Sequence, residues 1–302
     1  MSGRRWDNGY AGVKPKGARL ITKTPTHTII KNLGTHHRKV LIGEPTLGII
    51  TYFWHVQRMG QIIPVNWTSG SVMATHQPET VCAEGYTVAD AQNVICERLI
   101  LDKYEWLILL EDDTLPPFDT FMKLNTYMEE GKVPIVSGLY FTKGNPSWPL
   151  VFRGRGNGAF THFEMGDKVW ADGVPTGLLM VNGSIIDWMW RNSPEYKLPD
   201  GRKVRRIFQT PRDSWFDAEA DRFFSTMGTS DLEFCGRIMK ENVLTKAGWG
   251  AFARKHKRLP FLVDTSIFAG HIDINTMLVY PQNAREVLWP TTKTSRVFTG
   301  KR

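Results

Sequence analysis

No stretch of the 302 residues approaches the ~18 to 20 consecutive apolar side chains that a membrane span needs. The opening residues are polar and basic with no apolar block behind them, so a secretory signal is not expected either. Cysteine is scarce. Cys82, Cys96 and Cys235 are isolated, odd in number and outside C-x-x-C spacing, which argues against a disulfide framework and a zinc knuckle. They read as buried or semi-buried thiols in a reducing, cytoplasmic compartment. Internal repeats and low-complexity blocks are missing as well. Acidic residues are nearly absent from the first 39 positions, where nine Lys and Arg face Asp7 alone. That segment therefore carries the whole net charge of +8, and the remainder is balanced. A basic arm on a neutral body suits a polyanion such as DNA, and a merely solvated leader would look the same.

What is present is a body of normal globular composition, 41% hydrophobic and 23% charged, enough to bury a sizeable core. The expected boundaries are a basic arm over 1–39, one main domain over 40–281 and a tail over 282–302. A short strand is expected in the arm at Thr28–Ile30. In the body, Val40–Gly43 reads as a buried strand, Thr51–Gly60 as a helix, Ile62–Val65 as a strand and residues 87–101 as a helix. Trp106–Leu110 is a continuous apolar run of strand length, which fits a central strand covered on both faces. It stops at Glu111-Asp112-Asp113-Thr114, with Thr114 expected to cap the helix that carries Phe121, Leu124 and Met128. Further strands are expected at 135–140, 177–181 and 261–263, and a helix over 230–241. Residues 188–225, rich in aromatics and basic side chains, break this rhythm and read as an insertion. Alternating strands and helices imply an α/β fold with a mostly parallel central sheet flanked by helices.

Ligands in such sheets bind beyond the carboxyl ends of the strands, which is where the acidic run falls. While the chain stays extended, Glu111 and Asp113 face one side and Asp112 the other; a turn beginning at Asp112 loosens that assignment. Three acids this close repel unless something positive compensates them. Mn²⁺ or Mg²⁺, held by one or two carboxylates plus substrate phosphates, would do so. Asp113 is the expected ligand, with Asp112 as second ligand or ribose contact. A solvated, helix-capping acid pair is the plainer alternative.

In order and spacing, Val40–Gly48, Asp90-Ala91-Gln92-Asn93 and the strand ending in Glu111-Asp112-Asp113 resemble GT-A glycosyltransferases of the family 2 type, whose fold is Rossmann-like. Asp172–Met180 resembles that family's strand before the acceptor site. Ser230-Asp231-Leu232-Glu233-Phe234 resembles its Glu-Asp-x-x-Phe segment with serine in place of the first acid, and Gly270-His271 its late histidine. Gln92 departs from the pattern, where arginine is frequent. The resemblance implies that Glu44, Pro45, Thr46, Asp90, Asn93 and Asp112 hold a UDP-sugar. It implies that Asp113, Asp112 and His271 hold the metal. It further implies that Asp231 is the general base of an inverting transfer; a helix-terminal acid beside Ser230 is the alternative for that residue.

For the acceptor, basic residues interleave with aromatics at Arg205, Arg206, Arg212 and Trp215, a pattern suited to phosphate contact and base stacking. Arg254–Arg258 adds a second basic cluster. In style the chain is similar to the phage enzymes associated with TET-like oxygenases that glycosylate hydroxymethylcytosine in DNA, which would place it in a host cytoplasm. A saccharide, lipid-linked or protein acceptor, and a non-catalytic nucleotide- or DNA-binding shell, are the competing expectations.

Overall fold

The computed structural model describes residues 19–23, 28–31, 40–62, 79–154, 158–217, 219 and 222–282. Most of the basic arm, all but Ile62 of the strand expected at Ile62–Val65, and the C-terminal tail beyond residue 282 lie outside the described residues. Within the arm, β1 (Arg19–Lys23) and β2 (Thr28–Lys31) pair as an antiparallel hairpin.

The body is built on β3 (Val40–Thr46), β4 (Glu79–Glu84), β5 (Trp106–Leu110), the two-residue β6 (Thr114–Leu115), β7 (Ile135–Leu139), β8 (Lys168–Ala171) and β9 (Leu178–Asn182). Two hairpins follow, β10 (Glu195–Lys197) with β11 (Lys203–Arg205), and β12 (Arg212–Asp217) with β13 (Arg222–Met227). The last strands are β14 (Phe261–Phe268), β15 (Gly270–Ile272) and β16 (Val279–Tyr280). Seven of these form one sheet in the order β4-β3-β5-β9-β7-β14-β8. Five strands run one way, and β9 and β8 oppose them, so the sheet is mostly parallel.

The apolar run in β5 shows why the sheet is covered on both faces. Leu107 and Leu109 point into one core, while Trp106, Ile108 and Leu110 point into the other. The first core is covered by α2 (Val88–Asp102), α4 (Gly183–Asn192) and α5 (Ser230–Lys240). The second is covered by α1 (Tyr52–Met59) and α3 (Thr120–Glu130). The result is the expected α/β architecture, in three layers, with a mostly parallel central sheet flanked by helices. Among the described residues no helix is long and apolar enough to cross a membrane. Cys96 and Cys235 are buried, Cys82 is exposed, and all three are free thiols.

Two local expectations are corrected. Thr114 caps no helix: it is buried in β6, and α3 begins only at Thr120, after Asp119. The first turn of α3 is instead served by a side chain from afar, since Phe121 N donates to Gln61 Oε1 at 3.2 Å. The expected insertion also starts later, because Trp188 and Trp190 belong to α4. The stretch that follows is not a free flap. Asn93, fully buried on α2, accepts from Ile207 N (3.0 Å) and Phe208 N (2.8 Å) and donates back to Phe208 O (2.8 Å). Phe208 stacks on Phe234 inside the core, ring centroids 4.4 Å apart, so it is not available to an exposed base.

Candidate active site

The acidic run is pinned on both sides. Upstream, Leu110 pairs with Leu178, and Glu111 N reaches Gly177 O at 2.9 Å. Downstream, the chain turns at once, with Thr114 N bonded to Glu111 O at 3.1 Å. β6 then pairs antiparallel with β15, His271 opposite Thr114, and Ile272 N donates to Asp113 O. This pairing carries a histidine more than 150 positions away to the side of Asp113. From α1, Trp54 Nε1 donates to Glu111 O at 2.8 Å.

The three carboxylates go to different places. Asp112 turns toward the end of β3, where the Thr46 hydroxyl and Leu47 N bond it; burial nevertheless raises its pKa. Asp113 Oδ2 is 2.5 Å from Lys143 Nζ and 3.5 Å from His271 Nε2. Burial alone would raise its carboxyl, but hydrogen bonds and charge from His271 and Lys143 outweigh burial and hold it at about 2. Glu111 points inward. The Thr176 hydroxyl lies 3.2 Å from its Oε1, and Gln92 Nε2 at 3.5 Å. Burial first, then the charges of Asp113 and Asp231, push its carboxyl up to about 8. Gln92 offers an uncharged amide where arginine would have offered a cation. It donates to Thr176 at 2.9 Å, and its own Oε1 is buried without a partner.

Asp231 arrives in the first turn of α5, whose N-cap is Thr229. Thr176, through both its backbone N–H and its hydroxyl, and the Ser230 hydroxyl at 3.3 Å bond its carboxylate. Burial still raises its pKa. Tyr140 lies between these groups, its hydroxyl accepting from Gly177 N at 2.7 Å and its ring edge-on to His271. A side chain at position 177 would meet that hydroxyl at 2.4 Å, which is why glycine stands there.

Comparison with protein families finds no matching model, and comparison with curated proteins finds no match. Among solved structures the chain is similar to A197 from STIV. The identity is 15%, the match covers 78% of this chain and 86% of that one, and the TM-score is 0.45.

The structure thus brings Asp112, Asp113, Asp231 and His271 into one cluster at the carboxyl end of β5. Of the residues expected at a nucleotide, Thr46 joins it by bonding Asp112, and Pro45 precedes Thr46 on β3. Glu44 is buried in an ion pair with Arg58 at 2.5 Å and also accepts from Cys82 Sγ. Asp90 accepts from Tyr196 Oη (2.5 Å) and Thr87 Oγ1 (2.8 Å), and Asn93 is spent on the clamp described above. Of the residues expected at nucleic acid, Arg205 donates to Ser193 O at 3.0 Å, and the exposed Arg206 lies over the Tyr196 ring. Arg212 and Trp215 belong to β12, and their side chains are outside the described residues. Sequence reasoning missed Lys143, Tyr140 and the polar role of Thr176; a lone lysine in a loop gives no local signal.

The donor set can be tested against a divalent cation. Among the described residues no three of His, Cys, Asp and Glu form a ready-made cage. Mg²⁺ and Mn²⁺ do not need one, since one or two carboxylates plus substrate phosphates suffice. His271 Nδ1 lies 2.7 Å from Phe141 O, which can only accept, so Nδ1 carries the proton. Nε2 is then the ring nitrogen that faces Asp113 Oδ2, 3.5 Å away. Carrying a proton it donates to that carboxylate; without one it offers a lone pair to an ion beside it. A tautomer fixed through Nδ1 is how metal-ligating histidines are oriented, so Asp113 and the unprotonated His271 are two donors that fit a divalent ion.

Proposed function

We propose that the chain is a metal-dependent glycosyltransferase that moves a sugar from a nucleoside-diphosphate sugar, expected to be a UDP-sugar, to a hydroxyl acceptor. The observation that carries this reading is the convergence of Asp113, Asp231 and His271, from three distant parts of the chain, at the carboxyl end of the parallel strands. A merely solvated acidic turn would have no reason to be met by a buried acid and a tautomer-fixed histidine.

Asp113 and His271 would hold Mn²⁺ or Mg²⁺, which when bound supplies Lewis-acid neutralisation of the diphosphate. Asp112, held by Thr46 and Leu47 N, stands beside the β3 loop and is suited to a ribose hydroxyl or the second coordination position. Asp231 acts as the general base. It takes the proton of the acceptor hydroxyl while that oxygen bonds the anomeric carbon; the bond from that carbon to the diphosphate oxygen breaks, and the diphosphate leaves with the electron pair. Attack opposite the leaving group inverts the carbon. A base works best with its pKa brought toward the working pH, and burial moves Asp231 in that direction. Glu111, bonded by Thr176 and pushed up by burial and by the charges of Asp113 and Asp231, is given no ligand role in this reading.

For the acceptor we favour hydroxymethylcytosine in DNA. Support comes from the basic arm, the exposed Arg206 and the basic run Arg254–Arg258. The test is a panel of sugar nucleotides with Mn²⁺, offered to DNA with and without hydroxymethylcytosine and read by nucleoside mass spectrometry. A mass gain confined to modified DNA supports both donor and acceptor. Hydrolysis of a sugar nucleotide without transfer to DNA keeps the enzyme and moves the acceptor to a saccharide, lipid-linked or protein hydroxyl. No turnover of any donor removes the reading.

A further inference from the structure

We propose that Lys143 is a resident counter-ion which a divalent cation must displace from Asp113, and that the freed ammonium then binds the donor diphosphate. The proposal rests on the metal-dependent reading above and concerns a residue outside it. Its first support is competition for one atom. Lys143 Nζ lies 2.5 Å from Asp113 Oδ2, the same oxygen that faces His271 Nε2 at 3.5 Å. A divalent ion held between Asp113 and His271 would approach that same oxygen, where its charge and the ammonium repel each other.

The second support is how the lysine is delivered. It sits in the loop between Phe141 and Pro149, which bridge to each other. Thr142 N donates to Trp148 O (2.8 Å), Trp148 N to Thr142 Oγ1 (2.9 Å) and Ser147 Oγ to Gly144 O (2.6 Å). The loop is thus tied to itself on both sides of Lys143. Asp273 also feels the Lys143 charge, but the ion pair that the ammonium makes is with Asp113. The lysine side chain itself is partly exposed and has four rotatable carbons, so the head can move a few ångströms without moving the loop. Displaced by a metal at Asp113, it stays beside the diphosphate that the metal binds. An ammonium is a point charge suited to phosphate oxygens. Two cations, used in sequence, would then keep Asp113 neutralised in the empty enzyme and the diphosphate neutralised in the loaded one.

The test uses the full chain and reads binding, not turnover. Free Mn²⁺ is followed by electron paramagnetic resonance without nucleotide, for the wild type, Lys143→Gln and Lys143→Arg, with circular dichroism melts to confirm folding. Lys143→Gln should bind Mn²⁺ at least about tenfold more tightly than wild type, because the competing charge is gone. Lys143→Arg keeps the charge and should stay near wild type. In the presence of Mn²⁺, Lys143→Gln should bind UDP about tenfold more weakly. Unchanged or weaker Mn²⁺ binding by Lys143→Gln overturns the competition, and unchanged UDP binding overturns the second role. If no form binds Mn²⁺ even with UDP, the metal-dependent reading has failed, and the proposal with it. Failure of the proposal alone leaves wild-type Mn²⁺ binding intact.

Discussion

Two glutamates, one on β3 and one just past β5, meet opposite fates. Glu44, on β3, is matched inside the chain: Arg58 from α1 reaches it at 2.5 Å and Cys82 donates a second contact. Glu111, one position past β5, has a hydroxyl and an amide for company, with the carboxylates of Asp113, Asp231 and Asp112 close by, and its carboxyl is pushed up to about 8. The same side chain is neutralised by a partner in one place and by a proton in the other. At Glu44 the chain provides the cation. Past β5, acids are crowded with fewer cations than carboxylates, a cost that is the reason for proposing the site there.

The widest separation should appear in kinetics. Asp231→Asn is expected to lower kcat by about 10² to 10⁴-fold while leaving nucleotide affinity nearly unchanged, measured by steady-state transfer and calorimetry. Arg58→Met removes the cation from the matched acid, along with contacts to Thr80 and the Phe121 ring, and should leave kcat within a few-fold and be felt instead in stability. Stranding Glu44 as an uncompensated buried charge should cost about 3 to 5 kcal/mol in urea unfolding. An equal kinetic loss in both variants would erase the distinction between the two acids.

A pH titration sharpens the contrast. Glu111 binds its proton more tightly in the folded chain, about 8 against an ordinary value of 4.5. Its proton-linked stabilisation is therefore complete below about 4.5 and is lost as the pH rises through about 8. Urea midpoints should fall across that window, and Glu111→Gln should flatten the fall. A wild-type profile no steeper than the variant's would mean that Glu111 is ionised throughout. The smallest effect is expected at Thr51, the N-cap of α1, whose hydroxyl accepts from Trp54 N at 3.2 Å. Thr51→Ala should cost about 1 kcal/mol, since this helix carries both Arg58 toward Glu44 and Trp54 toward the Glu111 carbonyl.

Much of the scaffold was legible because its signals are local. Trp106–Leu110 reads as a strand buried on both faces, and alternate residues do enter the two cores. The helices at α1, α2 and α5 follow their apolar spacing. Thr114 carries a sound cap signal, a threonine shortly before two prolines, yet pairing with β15, far along the chain, places it in a strand. Asn93 and Asp90 carry the nucleotide pattern, and in the fold they bond Phe208, Tyr196 and Thr87. Lys143 could not be read at all, since its meaning comes from a carboxylate 30 positions away. Local pattern exposes an element, whereas a site made by chain crossings is legible only where each contributor sits in a motif of its own, as Asp113, Asp231 and His271 do.

The central claim is that the carboxylate cluster beyond β5 binds a nucleoside diphosphate through a divalent cation. It is tested most directly by calorimetric titration of UDP into the full chain, with Mn²⁺ and again with a chelator, alongside Asp113→Asn. The account predicts saturable binding with Mn²⁺ that is lost on chelation and in Asp113→Asn. Binding of equal strength with and without the metal, or retained in Asp113→Asn, would contradict it.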